Sequence, residues 1–145
     1  MVVAMVAAVL VPLAAQAPAQ AAPNVAAGTA GWTPQISPLF ADEWVKRDVP
    51  GDKRESELIW CSRLSGIACV AIGQGDGKHS IFHLYKCDTR SLANFIDALS
   101  VRNNQTGGAE VRFWGPNYTF RALADGNIYN FPDYATYDFS HLDIC

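Results

Sequence analysis

The chain has 145 residues, of which 50% are hydrophobic and 17% are charged, and its formal charge is −3. This length accommodates one compact domain and is too short for two comfortable ones. The weak acidity gives no electrostatic basis for binding a nucleic acid or an anionic membrane, so we expect neither partner.

The beginning of the chain predicts an exported protein. No Asp, Glu, Lys or Arg precedes Asp42, the run Val2–Leu13 is almost entirely apolar, and a small-residue stretch with Ala19-Gln20-Ala21 follows it. An apolar run followed by an A-x-A-like cleavage pattern is typical of a secretory signal peptide. We therefore expect residues 1–22 to be a signal peptide and the mature protein to be secreted.

The next segment, residues 23–57, is predicted to be flexible or loosely packed. Its first part is rich in Gly, Ala, Pro and Thr, and its last part, Pro50–Glu57, is charged and rich in turn formers. Such a composition offers little apolar surface to bury and is common at chain termini.

All four cysteines lie beyond the predicted cleavage site, at Cys61, Cys69, Cys87 and Cys145. An even number of cysteines in an exported chain predicts two disulfides, and four cysteines allow three pairings. A short loop with a turn at Gly66 separates the first two cysteines, which favours Cys61–Cys69 and leaves Cys87–Cys145.

The spacing of the cysteines and histidines argues against a zinc site. No pair of cysteines has the C-x2-C spacing of structural zinc sites. His79 and His83 flank a segment that favours a strand, on which they would share one face. We interpret these two residues and His141 as surface histidines and expect no metal or other cofactor.

From residue 58 onwards, short apolar runs alternate with turn signals, which predicts an all-β sandwich with at most one short helix. The predicted strands are rich in β-branched and aromatic residues; they are Leu58–Cys61, Ala68–Ile72, Ser80–Tyr85, Ala109–Trp114, Tyr118–Leu123, Asn127–Phe131 and His141–Ile144. Asp125-Gly126 is a hairpin signal. Ser91–Leu99 has apolar residues at helical spacing and predicts the helix, with a loop carrying buried anchors as the alternative.

The predicted domain, residues 58–145, contains a weak repeat of about forty residues. The segments Cys69–Asn103 and Ala109–Cys145 each show a strand, a Gly-containing turn, a strand and a long connection to a last strand. We therefore divide the domain into two motifs, about 58–106 and 107–145. Two such units would form two Greek keys packed face to face, because neither unit buries its apolar face alone.

Several segments resemble the βγ-crystallin motif. Phe113–Phe120 is similar to its first hairpin, Asp125–Phe131 to its third strand and Asp138–Ile144 to its final strand. Leu99–Gly108 resembles the junction between motifs in small secreted actinobacterial proteins, which are grouped with a peptidase inhibitor family of this fold. The resemblance covers roughly residues 58–145 and implies a double Greek-key, βγ-crystallin-like sandwich. Phe120 stands where the motif has glycine, so we expect an altered hairpin.

The function implied by the resemblance is inhibition of an extracellular protease, in particular a metalloprotease. An inhibitor of this kind uses a rigid exposed loop, and a disulfide lowers the entropy cost of docking it. The Cys61–Cys69 loop, with Arg63, Leu64 and Ile67, is the candidate contact. The alternative is a secreted structural or interaction protein without inhibitory activity, and for either we expect a monomer.

Catalysis and calcium binding are less favoured by the sequence. The calcium signature of the fold keeps only Asp97 and Ser100 in the first motif and loses both acidic positions in the second. We therefore expect Ser100 and Ser140 to hydrogen-bond backbone groups. No Gly-x-Ser-x-Gly elbow is present, so we expect no enzyme activity. Paired carboxylates of a small hydrolase stay open as an alternative at three positions, Asp133, Asp138 and Asp143.

Aromatic residues suggest a further alternative, a carbohydrate-stacking platform, although core packing is the more common role of such residues. The aromatic residues in question are Trp60, Phe113, Trp114, Tyr118, Tyr129, Phe131, Tyr134 and Tyr137.

Overall fold

The protein, described by a computed structural model over residues 31–145, consists mainly of two antiparallel sheets of five strands each. The strands are β1 (Gln35–Ser37), β2 (Trp44–Pro50), β3 (Ile67–Gly73), β4 (Lys78–Leu84), β5 (Asp88–Ala93), β6 (Leu99–Asn104), β7 (Glu110–Trp114), β8 (Thr119–Leu123), β9 (Ile128–Asn130) and β10 (His141–Ile144). The helical elements are a 3-10 turn (Gly51–Lys53), α1 (Arg54–Cys61) and α2 (Asp133–Thr136). The predicted mostly-β sandwich is confirmed, and the predicted signal peptide, residues 1–22, lies outside the described residues.

The order of the strands shows that two halves of the chain exchange strands. Sheet A has the order β1-β5-β10-β7-β8, and sheet B has the order β2-β4-β3-β6-β9. The unit β3–β6 contributes three strands to sheet B but places β5 in sheet A. The unit β7–β10 contributes three strands to sheet A but places β9 in sheet B. Neither sheet is complete without both units.

The core lies between the inner faces of the two sheets. Because side chains alternate along a strand, every second residue of β3 points into this space. Ala68, Val70 and Ile72 face the inner side chains of sheet A, while Cys69 and Ala71 face the outer side of sheet B. Four phenylalanine side chains pack against one another in this core through tilted and edge-to-face ring contacts; they are Phe113, Phe120, Phe131 and Phe139.

The outer side of sheet B is covered by α1. Leu58 and Cys61 are buried there against Val49, Ala71 and Ile81. The predicted strand Leu58–Cys61 is therefore wrong: these residues form the end of a helix. The apolar run is so short that its period cannot distinguish the two structures, and the buried residues lie three apart, as on one face of a helix.

The segment predicted to be flexible or loosely packed, residues 23–57, contributes ordered structure from residue 31 onwards. β1 pairs with β5 at the edge of sheet A, and β2 pairs with β4 at the edge of sheet B. Ile36 and Val49 are buried. Few apolar residues are needed here because each strand only adds an edge to a sheet that already exists.

The predicted helix Ser91–Leu99 is also wrong. Ser91–Ala93 belongs to β5 and Leu99 begins β6. Between them, Asn94 adopts a left-handed conformation with φ 60°, which interrupts any regular element. Phe95 and Leu99 are buried, so the apolar residues act as anchors of a connection, as in the alternative interpretation.

The turn predicted at Asp125-Gly126 forms but does not join a hairpin. Gly126 has φ 82°, and the Asn127 backbone N–H donates to the Asp125 carboxylate. The strand before the turn, β8, lies in sheet A, while the strand after it, β9, lies in sheet B. A local turn signal contains no information on which sheet receives the next strand.

A fully buried ion pair joins the N-terminal segment to the two sheets. Arg90 of β5 donates to both oxygens of Glu43, at 2.5 and 2.7 Å, and the side chains of both residues are inaccessible to solvent. The same carboxylate accepts backbone N–H groups of Phe40, Tyr85 and Lys86. Burial alone would raise the pKa of Glu43, but the bond from Arg90 and these three N–H groups outweigh it and lower the pKa to about 2.

Replacing Glu43 by alanine is expected to reduce the free energy of unfolding by about 3–5 kcal/mol, because it leaves the Arg90 charge buried without a partner. The measurement is denaturant unfolding followed by circular dichroism. The matched control is Glu110→Ala, which removes an exposed ion pair with Arg121 and should cost less than about 1 kcal/mol. Equal losses for the two variants would contradict this account.

Acid is expected to destabilise the protein through the same carboxylate. The ordinary pKa of Glu43 is 4.5 and its folded value is about 2, so its contribution is complete above pH 4.5 and is lost as the pH falls through 2. The free energy of unfolding should therefore decrease by about 3 kcal/mol across this interval. Glu43→Gln should lack this part of the pH dependence, and an unchanged slope in that variant would show that other groups cause it.

Candidate functional site

Both predicted disulfides are present. Cys61–Cys69 joins the end of α1 to β3 beneath it, and Cys87–Cys145 joins the chain before β5 to the residue after β10. The described residues contain no free cysteine. The first disulfide closes a loop over residues 61–69, which we call the stapled loop.

The three predicted contact residues lie together on the stapled loop but differ in exposure. Arg63 is exposed, whereas Leu64 and Ile67 are half-buried. Ile67 is the first residue of β3 and packs against the apolar cluster beneath α1. Ile59, which is 51% exposed, lies on α1 before the stapled loop begins.

The Asn104 side chain fixes the backbone of the stapled loop by hydrogen bonds. The Asn104 side-chain amide donates to the carbonyls of Ser62 and Leu64 at 3.2 and 2.8 Å, with a longer contact of 3.5 Å to the Cys61 carbonyl. The Gly66 backbone N–H returns a bond to the Asn104 carbonyl at 2.9 Å. Gly66 has φ 81°, a conformation that side chains disfavour. The loop is therefore exposed to solvent and conformationally fixed.

A cleft lies on each flank of α1. The first, which we call the tryptophan cleft, has a volume of about 280 Å³ and is lined by Trp44, Lys46, Glu57, Trp60 and His83. The second, the arginine cleft, has a volume of about 430 Å³ and is lined by Gly51, Arg54, Glu55, Leu58, Ser100, Ile128 and Asn130.

The arginine cleft contains a polar chain of contacts at its floor. The Arg54 guanidinium donates to the Ser100 hydroxyl, which donates to the Asn130 side-chain oxygen. The expectation that Ser100 bonds a backbone group is therefore wrong. Burial lowers the pKa of Arg54, and the nearby carboxylates of Asp97 and Asp133 oppose that shift. With two acidic groups beside it, this arginine is largely compensated and does not define an anion site.

The tryptophan cleft combines exposed aromatic rings with buried polar atoms. Trp44 is 40% exposed and Trp60 is 44% exposed. The Trp44 ring stacks on His83, with centroids 4.2 Å apart and planes 8° apart, and Trp60 meets His83 edge-on at 6.3 Å. An ion pair of 2.6 Å between Lys46 Nζ and Glu57 Oε1 connects β2 to α1.

His83 differs from the surface histidine expected from the sequence. It is 1% exposed, and neither ring nitrogen makes a hydrogen bond of good geometry within residues 31–145, although the backbone groups of Trp44 and Ile81 lie near enough to oppose part of the effect of burial on its pKa. Burial lowers the pKa of His83 below its ordinary value, so the imidazole is neutral at pH 7. His79 is also buried, whereas His141 is exposed as expected. The sequence correctly placed His79 and His83 on one strand, but it gave no sign that the N-terminal segment and α1 cover that strand.

The acidic residues considered for hydrolysis have separate structural contacts. Asp138 accepts the backbone N–H groups of Asn117 and Tyr118, both at 2.9 Å. Asp143 forms an ion pair with Arg112 at 3.0 Å, and Asp133 is the first residue of α2. Within residues 31–145, no three His, Cys, Asp or Glu side chains converge on a common point where a metal could bind. Ser140 Oγ lies 2.9 Å from His141 Nδ1, the ring of the next residue.

Phe120, which was expected to alter its hairpin, lies in a regularly paired strand. β7 and β8 pair in regular register, with Phe113 opposite Phe120. The Phe120 ring is half-buried and packs edge-on against Phe131 and Phe139. The close approach occurs at Gly115 instead, where a Cβ atom would lie 1.7 Å from the Asp138 carbonyl oxygen. Glycine is therefore required one residue after β7, and the Asp138 carboxylate ties down the tip of the hairpin.

Comparison of the chain with protein-family models, with curated proteins and with solved structures gave no match. None of the helices in residues 31–145 has the length and apolar character needed to cross a bilayer. A functional assignment therefore depends on the residues themselves and on the resemblance that they carry.

Replacing Asn104 by alanine is expected to loosen the stapled loop. The change removes the amide donor that ties the Ser62 and Leu64 carbonyls to β6 and should reduce the free energy of unfolding by about 1 kcal/mol. Amide hydrogen exchange over residues 62–67 should accelerate, as measured by mass spectrometry. The control is Asn127→Ala, which removes a side-chain bond to Asp125 in an exposed turn and should cost about 0.5 kcal/mol or less. Unchanged exchange in the Asn104 variant would mean that the disulfide alone fixes the loop.

Proposed function

We propose that this protein is an exported, disulfide-bonded, βγ-crystallin-like module that binds another extracellular protein through its stapled loop. The strand order supports the double Greek-key part of the proposal. In sheet B, the order β6-β3-β4 corresponds to strands 4, 1 and 2 of a Greek key. In sheet A, β10-β7-β8 repeats that order, and the third strand of each unit lies in the facing sheet.

The observation that carries the binding function is that the stapled loop is exposed and yet fixed. A disulfide, the Asn104 amide and the left-handed Gly66 all hold its backbone. A loop that is rigid before binding loses little conformational entropy when it docks, so more of its contact energy becomes affinity. Arg63 supplies an exposed residue of a type that often dominates binding energy at protein interfaces.

The specific activity that the family resemblance implies is inhibition of an extracellular protease, with metalloproteases the first candidates. A rigid loop that enters a protease cleft resists the distortion needed for cleavage and is retained. The exposed Arg63 on the stapled loop would make the first contact. The proposal includes no catalytic step and no cofactor on this chain, and it describes a monomer.

The second candidate is a secreted structural or interaction module without inhibitory activity. Half-burial of Leu64 and Ile67 favours it, because an inhibitory loop presents its side chains to the protease. Both candidates agree with the two disulfides and with export; they differ in whether a protease loses activity.

The deciding experiment adds the mature protein in molar excess to a thermolysin-type metalloprotease and to trypsin-type and subtilisin-type serine proteases. Loss of activity of at least one enzyme is expected, and Arg63→Glu should weaken that inhibition at least tenfold, because it reverses an exposed charge at the contact. The matched control is Arg121→Glu, another exposed arginine, on sheet A.

Two outcomes would contradict parts of this proposal. If every protease stays fully active, the inhibitory function is wrong and the non-inhibitory module is favoured. If a protease is inhibited equally by the wild type and by Arg63→Glu, the stapled loop is not the contact. Circular dichroism of both variants shows whether the fold is retained.

A further inference from the structure

The tryptophan cleft, described by Trp44, Lys46, Glu57, Trp60 and His83, has the composition of a ligand site separate from the stapled loop. We infer that it binds one ring of a neutral sugar, as part of an extracellular oligosaccharide or polysaccharide. This activity is additional to the protein binding proposed for the stapled loop, and neither requires the other.

The two tryptophans provide the apolar part of such a site. They come from different elements, β2 and α1, and neither belongs to the two apolar clusters that form the core. Both residues line the cleft and are nevertheless 40% and 44% exposed. A pyranose ring has a flat face of C–H groups, which packs well on the face of an indole, since that face carries the negative part of its quadrupole.

The polar groups of the cleft select a neutral ligand. Lys46 and Glu57 lie 2.6 Å apart, so their charges cancel and an ionic ligand would have to separate them. Together they offer donors on the ammonium group and acceptors on the carboxylate. This is the combination that a hydroxyl group, itself a donor and an acceptor, can satisfy.

His83 adds a polar ring to the floor of the cleft. Its side chain is 1% exposed, lies beneath the Trp44 ring, and makes no hydrogen bond of good geometry within residues 31–145. A neutral imidazole has one donor and one acceptor nitrogen, so the surface under the two tryptophans is not purely apolar.

The size and position of the cleft suit one ring of a longer chain. Its volume of about 280 Å³ lies near the lower end of small-molecule sites. β2 is the edge strand of sheet B, so the remaining sugar units can leave the cleft without meeting another strand. A proline-rich peptide would also pack on tryptophans, but its prolines lack a backbone N–H, so it offers the Glu57 carboxylate fewer donors than a sugar does.

The test titrates the mature protein with soluble cellohexaose, maltohexaose, xylohexaose and chitohexaose, and with a proline-rich peptide as the competing ligand class. Binding is followed by tryptophan fluorescence and by isothermal titration calorimetry. At least one oligosaccharide is expected to bind saturably with a shift of the tryptophan emission. Trp44→Ala and Trp60→Ala should each weaken binding at least tenfold.

The controls separate the cleft from other surfaces and from folding defects. Tyr137→Ala removes an aromatic ring that is 65% exposed elsewhere and should leave the affinity unchanged. His83→Phe retains an aromatic ring beneath Trp44 but removes both nitrogens, and should weaken binding while the circular dichroism spectrum is retained. Arg63→Glu should leave sugar binding unchanged, so failure of the protease assay and failure of the sugar assay are distinguishable.

Three results would overturn the inference. The first is the absence of binding by every oligosaccharide at millimolar concentration. The second is oligosaccharide binding that both tryptophan variants retain in full. The third is binding of the proline-rich peptide alone, with loss in the tryptophan variants, which would assign the cleft to peptides.

Discussion

The buried ion pair between Glu43 and Arg90 fixes how the N-terminal segment enters the fold. Glu43 lies in the connection between β1 and β2, which belong to different sheets, and Arg90 lies on β5. The same carboxylate binds the backbone of Tyr85 and Lys86, just after β4. One charged pair therefore determines where three parts of the chain meet at the margin of the two sheets. β2 begins at Trp44, the residue that directly follows Glu43.

Helix α1 connects the two proposed binding functions. Its C-terminal end leads into the stapled loop, while Glu57 and Trp60 form one wall of the tryptophan cleft. The helix has only eight residues and would be unstable alone. It is held by burial of Leu58 and by the Cys61–Cys69 disulfide. Both candidate sites thus depend on the attachment of one short helix to the outer side of sheet B.

The sequence predicted the parts of this structure that depend on local pattern and on cysteine arithmetic. The strands with alternating or β-branched residues, such as Ala68–Ile72, and both disulfides were correct. The two wrong predictions concern segments whose secondary structure is determined by tertiary contacts. Leu58–Cys61 is helical because it packs on the outer side of sheet B, and Ser91–Leu99 is not helical because it connects a strand of one sheet to a strand of the other.

The two candidate sites also differ in whether local sequence or tertiary contacts determine them. The stapled loop was predictable because two nearby cysteines mark it. The tryptophan cleft was not, since Trp44 lies in a segment whose composition resembles a flexible terminus, and His83 resembles any polar residue on a strand. What brings them together is the pairing of β2 with β4, in which Trp44 lies opposite His83. That pairing joins residues almost forty positions apart, and no short sequence pattern encodes it.

The exchange of β5 and β9 makes each four-strand unit depend on the other. In each four-strand unit, strands one, two and four pair in one sheet, while strand three pairs in the facing sheet. In an isolated unit, strand four would therefore be left at the edge of its sheet without its neighbour. The third strand of the other unit occupies that edge, and the exchange is reciprocal. Either unit expressed alone would therefore expose an unpaired strand edge, which is a surface prone to association with other chains.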